Sequence, residues 1–306
     1  MLAAVGYTAA NAFLRASIAV DPYWVSCVKA APTIIIFAPW LLLRIVRVQR
    51  LLPPAKAFAM LVAAAVLGQV GGNVVFQWAL GVVGIALTVP LCLGAMIITG
   101  AWLGWATLKE PITARTLLSI VLLVSAIGIL CLGAEAAHAS LEQAASHDFW
   151  HIALGVAAAC FSGFSYALLG VAIRNAAQQG CPAVTTLMTV GLAGVVVLWP
   201  LCIYRIGVTE MWATDAAAMT RMLLAGVANA IAFVSLAKSL EILGVIYVNA
   251  LNATQAAMAA LVGVIYFSEP LSMWLAIGVG LTAWGLVLMK RADSPLDDFS
   301  KPDTSR

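Results

Sequence analysis

Lys109-Glu110-Pro111-Ile112-Thr113 ends one apolar block of this 306-residue chain and begins the next, and Ser268-Glu269-Pro270-Leu271-Ser272 does the same about 159 residues later. Proline fits such a place, because the first turn of a helix has N–H groups with no intrahelical partner and the ring fixes φ near the helical value. Each copy joins a small-residue-rich segment to the one that closes its half. The pair therefore divides the sequence into two halves of similar length.

Working outward from it, the apolar blocks run approximately 2–20, 22–43, 57–79, 83–107, 113–133, 150–173, 182–204, 217–238, 244–267 and 271–290. Asp21-Pro22 and Pro53-Pro54 mark further starts. With 63% hydrophobic and 9% charged residues and a mean hydropathy of +1.03, the chain lies far from the usage of soluble domains. A hydrocarbon core of about 30 Å takes about 20 apolar residues at about 1.5 Å rise each. The expected fold class is thus an all-α integral membrane protein of about ten transmembrane helices. The net charge of +3 is small, and no nucleic-acid partner is expected. Cys27, Cys92, Cys131, Cys160, Cys181 and Cys202 are scattered without paired spacing and read as small core residues. The N-terminus has no basic region ahead of its first apolar block, so that block reads as a retained helix rather than a removable signal.

Basic residues favour the cytoplasmic side. Placing the N-terminus inside puts Arg44, Arg47, Arg50, Lys56, Lys109, Arg115, Arg174, Lys238 and Lys290 in cytoplasmic breaks or the tail, and leaves little beyond Arg205 and Arg221 outside. Both termini are therefore expected in the cytoplasm. Five spans per half is an odd number, so the second half must lie upside down relative to the first: a 5+5 inverted-topology repeat, typical of secondary transporters with a site near the midplane. Phe76 to Gly84 and Phe233 to Gly244 occupy matching positions, with Ala three residues after the Phe in one and four in the other. The expected units are residues 1–134, a linker at 135–149, residues 150–291, and a disordered cytoplasmic tail at 292–306.

These features resemble the drug/metabolite transporter superfamily, and within it the bacterial EamA-like family. The resemblance rests on Phe76-Gln77-Trp78-Ala79-Leu80, the Glu110-Pro111 and Glu269-Pro270 starts, and Lys29 inside the second span, where that family often has a basic residue. It implies a central cavity lined by spans one to four and six to nine, with spans five and ten outside, in a bacterial inner membrane. It does not fix the substrate, since members serve amino acids, other metabolites and drugs.

An ionised side chain at bilayer depth costs about 2.5–3.5 kcal/mol on insertion scales. Arg15 is close enough to Asp21 or the interface to snorkel. Lys29 lies about two turns past Pro22, either structural or turned into a cavity where it would receive an anionic group of a solute. Gln69, Asn73 and Gln77 stand four apart, on one stripe of the third span. Asn249, Asn252 and Gln255 form a second stripe in the ninth. Such amides either bridge helices or line a watery cavity, and a full-length stripe favours the cavity. Asn11, Tyr166 and Asn229 join them as candidate substrate-binding residues. Hydroxyls such as Thr8, Thr88, Ser165, Thr189 and Ser235 are expected to bond their own helices. Spans five and ten carry Gly128, Gly278, Gly280 and Gly285 instead, which suits close packing or a homodimer.

No Asp or Glu lies deep in any span, which disfavours an exporter of organic cations. His147 and His151 have no third ligand nearby, so no metal is expected, nor any cofactor. The resulting expectation is a secondary transporter of a small polar metabolite, amino-acid-like or otherwise zwitterionic or anionic, working by alternating access and exporting its solute. The alternatives are a multidrug exporter of the same family and a non-transporting membrane scaffold. An enzyme is not expected, because no paired intramembrane carboxylates, H-E-x-x-H or G-x-S-x-G are present.

Overall fold

A chain surrounded by hydrocarbon must close its backbone hydrogen bonds within each segment, and helices do so. The computed structural model describes residues 1–46, 52–138, 149–267 and 273–292, and these contain helices and no strand. In chain order they are α1 (Leu2–Arg15), α2 (Pro22–Val46), α3 (Ala55–Leu67), a π-helical segment (Gly68–Val74), α4 (Val75–Leu108), α5 (Ala114–His138), α6 (Phe149–Gln178), α7 (Ala183–Trp212), α8 (Ala216–Ile242), α9 (Val245–Asn252), α10 (Thr254–Phe267) and α11 (Met273–Ala292). Among the described residues six stretches are long and apolar enough to cross a membrane: Pro22–Leu43, Ala55–Ile85, Leu87–Leu108, Trp150–Gln178, Ala183–Trp212 and Ala216–Ile242. Shorter apolar stretches occupy Ala114–Ile129 and Ala276–Gly285. Glu269-Pro270, the linker core at 139–148 and the tail from 293 lie outside the described residues.

The distribution of side chains is that of a membrane protein. Ile35 (70% exposed), Val196 (65%) and Trp284 (65%) face outward, while Lys29 (5%) and Gln77 (3%) lie inside. Trp102, Trp105 and Trp274 are also on the exterior, as tryptophans that anchor helices at a membrane interface are. Thr8, Thr88, Ser165, Thr189 and Ser235 each donate to the carbonyl four residues earlier, at 2.7–3.1 Å.

One expected break is a kink, and one expected span is interrupted. Blocks three and four are two spans, Ala55–Ile85 and Leu87–Leu108, that meet within α4 at Gly84 (φ 73°, ψ 172°), a backbone region that glycine enters without a Cβ clash. The ninth block is interrupted at Ala253, whose N–H is shared between the Asn249 and Ala250 carbonyls at 3.1 Å each. The helices pack as α4 on α6, α2 on α7 and α8, α1 on α8, and α5 on α11. In the last pair Ser119 Oγ donates to the Gly285 carbonyl, and a Cβ on Gly285 would meet Leu123 Cγ at 3.0 Å. Gly285 is thus used within the chain, whereas Gly128 and Gly280 have open space around them.

Gly163 on α6 faces α4 so closely that a Cβ would land on the Cys92 carbonyl oxygen. Backbone cannot rotate out of the way. Gly163→Ala is expected to destabilise by about 1–3 kcal/mol, whereas Gly81→Ala, with nothing within 4 Å of its Cβ position, stays neutral or gains up to about 1 kcal/mol from helix propensity. Thermal unfolding of the two purified variants in detergent checks both.

Candidate functional site

Three glycines set the third span against α6. A Cβ on Gly68 would meet Leu169 Cδ2 at 2.9 Å, on Gly71 Ser165 Oγ at 2.8 Å, and on Gly72 Tyr166 Cε1 at 2.7 Å. Ser162 Oγ donates to the Gly72 carbonyl at 3.0 Å. This contact coincides with the π-helical segment, a widened turn often found at functional sites, and it carries Gln69 and Asn73.

Beside it is a cavity of about 130 Å³, room for about four waters at about 30 Å³ each. Asn11, Lys29, Gln69, Asn73, Tyr166, Asn229, Asn249, Asn252 and Gln255 line it. The structure therefore gathers nine of the ten residues singled out in the sequence, from both halves of the chain. Gln77 is not among them. It follows Asn73 along the same stripe but one turn farther from the cavity, where its Nε2 donates to the Leu14 carbonyl at 3.3 Å and its Oε1 is buried without a partner. Leu14 is in the last turn of α1, where carbonyls lack intrahelical donors. A helical stripe specifies direction and leaves depth open.

One wall of the cavity is a connected network. Asn73 Oδ1 accepts from Lys29 Nζ at 2.7 Å and from Tyr166 OH at 2.6 Å; Asn73 Nδ2 donates to Gln69 Oε1 at 2.5 Å; Gln69 Nε2 donates to the Val190 carbonyl at 2.8 Å. An ammonium has three donors, so two of those on Lys29 remain beyond this network. Among the described residues no Asp or Glu lines the cavity. On the other wall Asn249 Nδ2 reaches the Met96 carbonyl at 3.3 Å, while Asn11, Asn229, Asn252 and Gln255 form no hydrogen bond to another protein group among the described residues. Their donors and acceptors are left for whatever fills the space.

Tyr7, Thr33, Phe76 and Phe233 also line the cavity, and the sequence reading did not single them out. Tyr7 precedes Asn11 by four residues and Phe233 follows Asn229 by four, so helical spacing could have found both. Two further polar contacts link distant segments. At one, Arg205 Nε meets Asp21 Oδ2 at 2.8 Å, its guanidinium lies 5.1 Å from the Tyr23 ring centre, and Trp24 packs edge-on to Trp199 at 5.9 Å. Asp21, expected near Arg15, is thus bound across the fold to α7. At the other, the Glu110 carboxylate accepts from the Val245 and Ile246 N–H groups at 2.8 and 3.2 Å, capping α9. Nearby Arg174 donates to the Leu240 and Glu241 carbonyls at 2.7 and 2.9 Å. His151 lies edge-on to Trp78 at 5.8 Å; His147 is outside the described residues.

Residues 153–291 match the EamA-like transporter family. The resemblance read from the sequence is borne out over those residues, in keeping with the drug/metabolite transporter superfamily, and the match together with the long apolar helices suggests a multi-pass membrane protein. A solved structure described only as the crystal structure of a protein aligns with a TM-score of 0.67 at 15% identity, covering 96% of this chain and 96% of that one. At that identity the likeness concerns the fold alone. No curated protein matches the chain.

The two walls predict opposite mutational behaviour. Asn73→Leu strands three buried polar partners, and each unsatisfied group costs about 1–3 kcal/mol, so the melting temperature in detergent should fall. Asn252→Leu removes an amide without a protein partner and should leave it unchanged or higher.

Proposed function

We propose that the chain is a secondary transporter that exports a small polar solute bearing a carboxylate or other anionic group across a bacterial inner membrane. The observation carrying this reading is the Lys29 ammonium on the wall of a cavity that no carboxylate lines. The anionic group would take the donors of Lys29 that Asn73 leaves free, and the amides of Asn11, Asn229, Asn252 and Gln255 would meet the polar remainder. A space of about 130 Å³ suits a small metabolite better than a drug-sized molecule, whose pockets run to about 300–1,000 Å³. A multidrug exporter of organic cations would want a carboxylate there, and a scaffold would have no use for four unpaired amides around a void.

The proposed architecture has ten spans as a 5+5 inverted repeat, residues 1–134 and 150–291, with both termini in the cytoplasm. Transport would proceed by alternating access, the Asp21–Arg205 pair closing the outer side and the Glu110 cap on α9 the inner side. A homodimer through spans five and ten would use Gly128 and Gly280.

Reconstituted protein should exchange at least one labelled compound from a panel of amino acids, sugar acids and nucleotides. Lys29→Ala and Lys29→Gln should weaken its binding about ten- to hundredfold, as expected on losing a charge-assisted hydrogen bond of about 1.5–3 kcal/mol. Wild-type affinity in both variants would sink the assignment of Lys29, and a preference for organic cations would sink the solute class. Cysteines placed at the termini should react with membrane-impermeant reagents only after the cytoplasmic face is opened.

A further inference from the structure

We propose that a groove between α3, α4 and α6, distinct from the central cavity, is a binding site for an anionic phospholipid. Its polar lining is gathered at one end: Lys56 at the start of α3, Thr107 near the end of α4, and Asn175 and Gln179 where α6 ends. Away from that end the lining is apolar, with Met60, Ala63, Leu67 and Leu168. Met60 is 40% exposed, and Ala63 also faces outward.

The groove therefore has the polarity of a lipid. From Lys56 to Leu67 is about 16 Å at about 1.5 Å per residue, close to half of a hydrocarbon core of about 30 Å. An acyl chain lying along it would extend from the interface to the bilayer centre, within one leaflet. Lys56 sits at the level where three helices end, which is headgroup level, and it has no ion pair among the described residues. Gln179 Nε2 donates to Asn175 Oδ1 at 3.1 Å, which leaves the Asn175 amide N–H groups and one on Gln179 for the same phosphate. A basic residue at the surface contributes about 1 kcal/mol toward anionic lipid, so headgroup charge selects among lipids and the apolar run accepts the chain of any.

The site adjoins the transport cavity through two elements. Leu67 lines the groove, Gly68 next to it begins the π-helical segment, and Gln69 lines the cavity. On α6, Leu168 faces the groove and Leu169 the cavity. A chain lying on Leu67 and Leu168 braces the contact that holds Gln69 and Asn73 in place. The inference requires only that the protein spans a bilayer, so it stands or falls separately from the choice of solute.

Native mass spectrometry of the full-length protein extracted from bilayers of equal phosphatidylglycerol and phosphatidylethanolamine tests it. Wild-type protein should retain phosphatidylglycerol preferentially. Lys56→Ala, at an exposed position, should lower that retention about fivefold, the equivalent of about 1 kcal/mol, with its melting temperature measured in parallel. Ala63→Trp, which fills the groove from an outward-facing position, should lower retention of both lipids. Equal retention of the two lipids by wild type, no change in Lys56→Ala, no change in Ala63→Trp, or release of lipid by millimolar inorganic phosphate would each overturn the proposal.

Discussion

Asn73 Oδ1 accepts from both Lys29 Nζ and Tyr166 OH, and this junction is the constraint on which the interior depends. A buried ammonium in a low-dielectric setting needs acceptors, and here it receives a neutral amide rather than a carboxylate. The amide is held in turn by Gln69 and the Val190 carbonyl. Through that chain α2, the third span, α6 and α7 are tied at one level. Placing Asn73 there requires α6 to approach the π-helical segment to contact distance, which only Gly68, Gly71 and Gly72 permit. The glycines, the widened turn and the charged cavity are consequences of a single packing arrangement.

The opposite wall is built on other terms. Asn11, Asn229, Asn252 and Gln255 come from α1, α8, α9 and α10, and no side-chain network joins them. An unpaired amide in water costs little, while the same amide in a dry interior costs on the order of 1–3 kcal/mol. A wall of this kind is stable when the cavity is wet or filled by a polar guest, so its free groups favour a hydrated or occupied site over a collapsed one.

Much of this was legible in the sequence because membranes reverse the usual burial rule. Apolar residues face outward, so a polar residue within a span must turn inward; charge within a span brought out Lys29, and spacing brought out Gln69, Asn73 and the ninth-span amides. Depth was not legible. Gln77 continues the stripe yet reaches the end of α1, since helical spacing gives an angle and says nothing about where a void stops. The pairing of Asp21 with Arg205 and the capping of α9 by Glu110 were hidden for another reason: each joins segments more than a hundred residues apart, and only tertiary structure brings them together. The expected break between the third and fourth blocks is present as a kink at Gly84, whose positive φ and extended ψ end one helix and begin the next.

The two closures differ in kind, and the difference bears on the proposed cycle. Asp21–Arg205 is a contact between side chains at a partly exposed rim, where such pairs contribute about 0–1 kcal/mol and separate readily. Glu110 instead satisfies two backbone N–H groups at the start of α9, which have no intrahelical partner. Releasing it leaves that helix end uncapped. The eight residues of α9 carry Asn249 and Asn252, so any movement that frees the cap also moves part of the open wall. In the proposed cycle, opening the inner side and changing the contacts of the solute would then be one motion. The networked wall, tied to α2, α6 and α7, would supply the fixed surface against which that motion takes place.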